Sequence, residues 1–273
     1  MRFWVLGAGT LLPDPVRGSP AHCLQTEKSV ILLDCGTGAV RTMARLGLPW
    51  QGVTHLLISH FHTDHIADLS PFLFALKHGL SSRRKRPLSI LGPRGLRNHL
   101  EALARAFGDF VLNPGFPVVV EELGEGAKWK DAGTGLALAT YPARHSEGAL
   151  AYRLEAEKCV VGYTGDTGPD PALGRFLTGC GLLVAECSHG DERPMETHLT
   201  PSSLADLARE ACPDLLLTVH TYPPLDPVAL PDLLRDRGYS GTVVPAQDGL
   251  WVELRDGVEP RVGRGVDLPA SGR

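Results

Sequence analysis

The chain has 273 residues, 43% of them hydrophobic and 21% charged, with a formal net charge of −4. This composition is typical of a soluble globular protein that can bury a sizeable core. The small negative charge argues against a generally basic surface for nucleic acid, although not against a local basic patch.

The sequence contains no apolar run long enough to span a membrane. The apolar start of the chain is short and runs directly into Gly7-Ala8-Gly9, so we expect no signal peptide, no membrane partner and a cytoplasmic protein. The cysteines show no C-x-x-C spacing and most lie in apolar context, which is typical of reduced, buried thiols. An additional structural zinc site that uses Cys23 is left open.

Short apolar runs alternate with helical segments along the whole chain. Strands are predicted at residues 2–6, 22–26, 29–34, 53–58, 88–91, 118–122, 136–141, 149–154, 159–163, 182–186, 215–220 and 250–254. Helices are predicted at residues 39–46, 71–78, 94–107, 202–211 and 227–237. No linker-like stretch divides these elements, so we expect one α/β domain over residues 1–254, with two strand-rich layers and helices outside.

Two segments carry composition signals of their own. Residues 255–273 are rich in Gly, Pro and Arg, so we expect a loose C-terminal tail there. The dense basic run Arg83-Arg84-Lys85-Arg86 is compatible with a solvated loop and with a patch that faces phosphate, and the sequence does not decide between them.

A cluster of metal-binding side chains follows the predicted strand at residues 53–58. His60, His62, Asp64 and His65 fall within six residues, on the loop that leaves the strand. Rigid scaffolds often present chemistry on such loops, and neutral imidazole and carboxylate are ordinary ligands for zinc and its neighbours in the first transition row. The motif predicts a metal site.

Isolated polar residues recur at the ends of later strands. His145, Asp166 and His220 each follow an apolar run, and Asp166 is flanked by glycines that allow a close approach. Any one of them alone would more often be a satisfied histidine or a turn aspartate than a ligand. Together with the His60–His65 cluster, they favour a metal site.

At these residues the chain resembles the metallo-β-lactamase superfamily, in its zinc hydrolase branch. The resemblance rests on Leu6-Gly7-Ala8-Gly9-Thr10, Leu33-Asp34-Cys35-Gly36, the cluster of residues 60–65, His145, Gly165-Asp166-Thr167 and His220, all in the family's order. It implies an α/β fold of the four-layer αββα sandwich type, with a dinuclear site along one edge of the two sheets.

The resemblance also implies a ligand set for two divalent metal ions, zinc first, with manganese or iron as alternatives. His60, His62 and His145 would hold one ion, Asp64, His65 and His220 would hold the other, and Asp166 would bridge them. Two such ions lower the pKa of a bridging water, which gives hydroxide at neutral pH, and they polarise the substrate oxygen. Asp34 is either a hydrogen-bond partner of a ligating histidine or a cap for the turn at residues 36–38.

Further residues resemble the ribonuclease Z-like branch of the family, which hydrolyses phosphodiesters. Glu186, at the end of the strand Leu182-Leu183-Val184-Ala185-Glu186, and His198, in Thr197-His198-Leu199-Thr200, match its strand-end glutamate and its His-x-Thr segment. Carried over, His198 is the candidate general acid and Glu186 orients it; Asp64 is the third candidate catalytic residue. Two alternatives stay open: His198 only precedes a helix cap, or His189 takes the acid role.

One departure from the branch concerns the substrate. Ribonuclease Z proper carries a long tRNA-binding arm between the positions that match His145 and Asp166, and here only 166 − 145 = 21 residues span that interval. The pattern resembles closely the cyclic ribose-phosphate phosphodiesterase of the carbon–phosphorus lyase pathway, which has a short interval. We therefore expect a small or cyclic phosphodiester or a short RNA as substrate, and not tRNA; the resemblance also implies a homodimer.

Two other functions are compatible with the same cluster. A thioester or lactone hydrolase of the glyoxalase II or lactonase kind does not need the Glu186 and His198 pair. A non-hydrolytic binding or biosynthetic accessory protein on the same fold is the third hypothesis, and such proteins often lose ligands that are all present here. The sequence does not identify the substrate, the native metal or the oligomeric state.

Overall fold

Two β-sheets lie face to face in the computed structural model, which describes residues 1–80 and 82–265. Within those residues the first sheet has eight strands in the spatial order β15-β14-β1-β2-β3-β4-β5-β6. Its strands are β1 Arg2–Gly7, β2 Ala21–Gln25, β3 Val30–Leu33, β4 His55–Leu57, β5 Leu88–Pro93, β6 Val118–Leu123, β14 Leu250–Arg255 and β15 Val258–Arg264.

The second sheet has seven strands in the same described part of the chain, in the order β13-β12-β11-β10-β9-β8-β7. Its strands are β7 Lys128–Lys130, β8 Ala137–Pro142, β9 Leu150–Ala156, β10 Cys159–Tyr163, β11 Leu182–Glu186, β12 Leu215–Val219 and β13 Val243–Pro245. The helices are α1 Ala39–Arg45, α2 Thr63–Ile66, α3 Leu69–His78, α4 Leu96–Phe107, α5 Pro171–Phe176, α6 Pro201–Ala211 and α7 Leu230–Asp236, with short 3₁₀ turns at Trp50–Gly52, Asp109–Val111 and Pro227–Ala229.

Three apolar clusters define the layers. The central cluster joins side chains of both sheets, such as Phe3 and Ile31 from the first and Tyr152 and Leu217 from the second. The second cluster packs the outer face of the first sheet against α1, α3 and α4, and the third packs the outer face of the second sheet against α5, α6 and α7. The order helix, sheet, sheet, helix confirms the predicted four-layer αββα sandwich.

Parallel strands form one half of each sheet, β3 to β6 in the first and β10 to β13 in the second. β3 pairs in parallel with β4 and β4 with β5, while β10 pairs in parallel with β11 and β11 with β12. The carboxyl ends of parallel strands meet at one edge of a sheet, so the loops after β3, β4, β10, β11 and β12 converge. This topology brings the sequence-distant candidate residues together.

The interval between His145 and Asp166 holds β9, β10 and the turn that joins them. β9 and β10 are antiparallel, and the two residues of their turn, Glu157 and Lys158, both have positive φ angles, of 50° and 61°. Two positive φ angles in succession are typical of a tight hairpin turn. The segment is therefore built as a short hairpin.

The predicted loose tail is wrong for Val258–Arg264, which forms strand β15 against β14. The Gly content suggested flexibility, but a Cβ atom at Gly263 would lie only 2.2 Å from the Trp251 ring, so this glycine makes room for a packed indole. Arg261 also lies 3.7 Å from the Glu253 carboxylate on β14. Residues 266–273 of the predicted tail lie outside the described residues.

Other differences are local. α3 begins at Leu69 and not at Pro71, and the preceding Asp68 uses its carboxylate to accept hydrogen bonds from Gly38 N and Val40 N at the start of α1. The strands β7 and β13 and the helices α2 and α5 were not predicted, because each is only three to six residues long. In the described part of the chain, no helix combines the length and the apolar character that crossing a membrane requires.

Candidate metal centre

The motif at residues 60–65 leaves β4 and turns at once into α2. His60 and His62 lie on the connecting loop, and the single turn of α2 presents Asp64 and His65. His145 follows β8, Asp166 follows β10 and His220 follows β12. All seven predicted ligands therefore reach the same edge of the two sheets.

One group of donor atoms comes from His60, His62 and His145, and these atoms lie within 4.8 Å of one another. His62 Nδ1 and His145 Nε2 are only 2.9 Å apart. The ring of His60 is buried and stands nearly perpendicular to the rings of both other histidines. These three side chains form a compact set of imidazole donors.

A second group of donor atoms comes from Asp64, His65 and His220, again within 4.8 Å of one another. Asp64 Oδ2 lies 3.8 Å from His65 Nε2 and 3.5 Å from His220 Nε2. His65 and His220 are both buried. This group has the mixed imidazole and carboxylate chemistry of a divalent-cation site.

Asp166 lies between the two groups. Its carboxylate oxygens are 3.9 Å from His60 Nε2 and 3.8 Å from His145 Nε2 on one side. They are 3.4 Å from His65 Nε2 and 3.4 Å from His220 Nε2 on the other. Burial would raise the pKa of Asp166, but the neighbouring His220 and His65 imidazoles outweigh it and hold this pKa well below its usual range. The residue is a carboxylate placed to contact both groups.

Four of the histidines use one ring nitrogen for support and leave the other toward the centre. His60 Nδ1 lies 3.0 Å from Ser59 Oγ, and His65 Nδ1 lies 2.7 Å from Asp34 Oδ2. His145 Nδ1 lies 3.0 Å from the Thr197 carbonyl oxygen, and His220 Nδ1 lies 3.0 Å from Ser188 Oγ. Metal-ligating histidines commonly engage their second nitrogen in this way, because it fixes the ring orientation and the tautomer.

The buried donors fit a divalent cation. His60 Nε2 and His65 Nε2 are buried and have no hydrogen-bond partner among the described residues. Burial, followed by the charge of His65, lowers the pKa of His60, so its imidazole is neutral, which is the form that binds metal. Burial would also lower the pKa of His65, but Asp166 and Asp34 outweigh it and raise this pKa well above the usual value. We expect a bound cation to displace that proton.

Asp34 supports the metal centre through hydrogen bonds to the residues that surround it. Its carboxylate accepts hydrogen bonds from Ser59 N at 2.7 Å, Ser59 Oγ at 2.7 Å and Tyr163 Oη at 2.6 Å, as well as from His65 Nδ1. Asp34 is fully buried and its φ angle is 57°, in the left-handed region. Of the two roles predicted for Asp34, the structure favours that of a histidine partner.

Glu186 and His198 form a pair beside the cluster. His198 Nδ1 donates to Glu186 Oε1 at 2.9 Å, and Glu186 also accepts from Thr167 N at 2.7 Å and from Leu199 N at 3.2 Å. Ser188 Oγ donates to the other oxygen of Glu186. Burial would lower the pKa of His198, but the hydrogen bond to Glu186 and its charge outweigh burial and raise it. His198 is thus biased toward the protonated form.

The surroundings of His198 distinguish its two alternatives. Thr200, not His198, caps α6, because Thr200 Oγ1 accepts from Ser203 N in a capping box. His189 lies beside His198, with ring centroids 5.8 Å apart, but its ring stacks on Tyr222. His198 also has its ring parallel to that of His220, at 5.8 Å. The geometry favours His198 over His189 as the partner of Glu186.

Sequence reasoning missed several residues that support the site. Tyr163 and Ser59 hold Asp34, and Ser188 contacts Glu186, His198 and His220. Ser188 lies two residues after Glu186 and Ser59 lies next to His60, so adjacency to a candidate residue was the available signal. Tyr163 gave no such signal, because its contact with Asp34 joins the two sheets.

The structure also bears on the two sites that the sequence left open. Cys23 is buried, which raises the pKa of its thiol to about 12, and no metal-binding group in the described part of the chain contains it. In the basic run, the Arg84 guanidinium is buried and donates to backbone carbonyls. Arg84 therefore has a structural role, while Lys85 is exposed.

Comparison with known proteins agrees with this geometry. The family model of the beta-lactamase superfamily domain matches residues 29–221. A ribonuclease Z of Mycobacterium marinum is 30% identical over 189 residues, which cover 66% of this chain and 68% of the relative.

Two solved structures share the fold. The metallo-β-lactamase fold protein YhfI from Bacillus subtilis has a TM-score of 0.79 at 20% identity and covers 92% of this chain and 98% of its own. The short form of human tRNase Z has a TM-score of 0.73 at 22% identity and covers 93% of this chain and 99% of its own. The predicted resemblance is confirmed, and the chain belongs to the metallo-β-lactamase superfamily, with ribonuclease Z-like relatives and a donor set suited to a metal-dependent hydrolase.

Proposed function

We propose that the protein is a phosphodiesterase that hydrolyses a small or cyclic phosphodiester with two divalent metal ions, zinc first. The observation that carries this proposal is the Glu186 and His198 pair, with an Oε1 to Nδ1 distance of 2.9 Å, directly beside the cluster of metal-binding donors. The pair offers a protonated imidazole where a poor leaving group would need one.

The metal ligands would divide into two sets around Asp166. His60, His62 and His145 would hold one ion, and Asp64, His65 and His220 would hold the second, with Asp166 between them. Divalent ions bound there would supply a nucleophile from water at neutral pH and offset the charge that develops on the phosphoryl oxygens. Asp34, Ser59 and Ser188 would keep the imidazoles oriented.

His198 would act on the leaving group. Water that has lost a proton to solvent would attack as hydroxide; as its oxygen bonds to phosphorus, the bond from phosphorus to the leaving oxygen would break, and Nε2 of His198 would give the leaving oxygen a proton. The Glu186 carboxylate holds Nδ1 and stabilises the imidazolium before the transfer. Because alkoxides are poor leaving groups, this proton is worth most for diesters of ordinary alcohols, such as nucleotides.

Two observations favour a small diester over the alternatives. Thioester or lactone hydrolysis does not need the Glu186 and His198 pair. The curated relative is named ribonuclease Z, and a ribonuclease cleaves phosphodiester bonds. The interval from His145 to Asp166 is filled by the β9–β10 hairpin, which supports a small or cyclic substrate or a short RNA in preference to tRNA. Non-hydrolytic proteins on this fold often lose ligands, whereas all seven proposed donor positions are filled in this chain.

The test is a substrate panel with metal-free protein reloaded with zinc or manganese. We expect metal-dependent hydrolysis of bis(p-nitrophenyl) phosphate and of at least one cyclic or dinucleoside phosphate. In His198→Ala, kcat for the cyclic or dinucleoside phosphate should fall at least about 100-fold. The exposed His78 on α3 gives the matched control, since His78→Ala should retain full activity. Two bound metal ions with activity on a thioester or lactone, but on no diester, would overturn the proposal.

A further inference from the structure

Two aromatic rings form a stacked pair at the rim of the metal centre. The rings of His189 and Tyr222 have centroids 5.1 Å apart and an angle of 16° between their planes. Both residues are half-buried. We call His189 and Tyr222 the ring pair.

The ring pair is held firmly in place. Tyr222 N donates to the Ser188 carbonyl at 3.0 Å, and His189 N donates to the Leu199 carbonyl at 3.4 Å. Burial raises the pKa of Tyr222 to about 12, with the Leu11 backbone and the Thr10 side chain acting in the opposite direction, and its ring stands at 80° to that of the metal-site residue His220. A platform that binds a flat group needs this kind of fixed orientation.

The ring pair also lies on the side of the candidate general acid. The His198 centroid is 5.8 Å from that of His189 and 6.4 Å from that of Tyr222, and the ring planes stand at 86° and 70° to that of His198. A leaving oxygen that takes a proton from His198 would therefore have its attached group next to the ring pair.

Exposed aliphatic side chains lie near Tyr222. Leu11, whose backbone is close enough to influence the pKa of Tyr222, is 61% exposed, and the adjoining Leu12 is 44% exposed. A centre made for an anionic phosphate thus borders on half-buried rings and exposed aliphatic side chains. That combination suits a leaving group that is planar and weakly polar, and it does not suit a bare sugar or a second charged group.

We propose that the ring pair stacks against the nucleobase of the leaving nucleoside, so that the substrate is a nucleotide diester with a base on its leaving side. This inference rests on the proposed phosphodiesterase function and narrows its substrate class. Every base has a π-face, so such stacking is tolerant of sequence and selects a base-bearing substrate over an abasic one. His189 and Tyr222 are then specificity-determining residues and not proton donors.

The test compares three dinucleoside substrates: diadenosine monophosphate and its two analogues that each lack one base. Product analysis identifies the leaving nucleoside. In His189→Leu we expect the KM for substrates with a base on the leaving side to rise about tenfold, with kcat unchanged. The KM for the analogue without that base should already be high in the unmodified protein and should not change.

Rescue by a ring distinguishes stacking from other roles. His189→Phe keeps a flat ring but cannot transfer a proton, and Tyr222→Phe keeps the ring without its hydroxyl; both should retain the low KM. Phe74→Leu is the control, because it removes a 50% exposed ring on α3, outside the site. The stacking proposal fails if the KM rises as much in His189→Phe as in His189→Leu. It also fails if His189→Leu raises the KM for the analogue without the leaving-side base by the same factor.

A binding measurement separates this proposal from the proposed function. Adenosine titrated calorimetrically into the zinc-loaded protein should bind, and its Kd should rise about tenfold in His189→Leu but not in His189→Phe. If adenosine binds in this pattern but no diester is hydrolysed, the proposed phosphodiesterase function is wrong and the stacking proposal stands. If diesters are hydrolysed with the same KM with and without the leaving-side base, and adenosine does not bind, the stacking proposal alone is wrong.

Discussion

His65 Nδ1 donates a hydrogen bond to Asp34 Oδ2 at 2.7 Å, and this contact joins α2 to the end of β3. The same carboxylate accepts from Tyr163 on β10, in the other sheet, and from Ser59 on the loop after β4. One buried side chain therefore ties together both sheets and the loop that carries the metal-binding motif. Metal affinity should depend on it although it is not itself among the proposed ligands.

We predict that Asp34→Asn weakens zinc binding about 10- to 100-fold, because the neutral amide cannot replace a carboxylate that accepts from three side chains and a backbone amide. Asparagine tolerates the φ angle of 57° at this position, so the backbone should not be strained by the change. The measurement is competition for zinc with a chromophoric chelator. Tyr163→Phe removes only one hydrogen-bond donor to Asp34 and should weaken zinc binding less. Equal zinc affinity in Asp34→Asn and the unmodified protein would contradict the supporting role of Asp34.

The sequence was sufficient for the parts of the site that follow local rules. A polar residue after an apolar run predicts a strand end, which located His145, Asp166 and His220, and the family resemblance then grouped them with the motif. The contacts of Tyr163 and Ser188 could not be predicted, because they depend on how two sheets and several loops pack. β15 was missed for a related reason, since the space that Gly263 leaves for Trp251 is visible only in the folded chain.

The leaving group should decide how much His198 matters. With p-nitrophenolate, a good leaving group that needs little protonation, we predict a modest loss of kcat in His198→Ala. With a nucleoside leaving group the loss should be about 100- to 10,000-fold, because the alkoxide must be protonated as it departs. Metal content, measured by elemental analysis, should not change. Equal losses on both substrates would speak for a binding role of His198 and against general acid catalysis.

The pH profile should report the hydrogen bond between Glu186 and His198. Burial opposes the charged imidazole, but Glu186 raises the pKa of His198 above its ordinary value, so the acid form persists to higher pH. Activity that needs this acid should fall as pH rises through the raised pKa. In Glu186→Gln the pKa should drop, and the alkaline limb of kcat against pH should move to lower pH. A limb that stays in place would exclude His198 as the group that titrates.

The cysteines allow a test of the fold without any substrate. Among the described residues, Cys212 is the exposed cysteine, and Cys23, Cys35, Cys159, Cys180 and Cys187 are buried. Because a thiolate is the reactive form and burial raises the pKa of the inner thiols, a disulfide reagent should modify one thiol per native chain and six after unfolding. Cys212→Ser should abolish the native reaction. Rapid modification of a second thiol in the native Cys212→Ser protein would be inconsistent with this packing.

The basic run offers a contrast between two neighbouring cations. Arg84 donates through Nη1 to Gln51 O at 2.6 Å, through Nη2 to Val53 O at 2.6 Å and Pro87 O at 2.9 Å, and through Nε to Arg86 O at 2.8 Å. Removing a buried donor from several carbonyls leaves them unsatisfied, so Arg84→Ala should lower the free energy of unfolding by about 3 kcal/mol. Arg84→Lys should recover little of it, because an ammonium group cannot reproduce the planar fork.

Lys85 supplies the matched control for Arg84, since it is adjacent, equally charged and exposed. Lys85→Ala should change the free energy of unfolding by no more than about 0.5 kcal/mol. Denaturant titration of the three variants in the same metal state is the measurement, with diesterase activity recorded beside it. We expect active folded protein in each case, because the guanidinium of Arg84 holds the segment before β5 and does not reach the metal centre. Unchanged stability in Arg84→Ala, together with a rise in the KM for an anionic substrate, would instead assign Arg84 to a phosphate-facing patch.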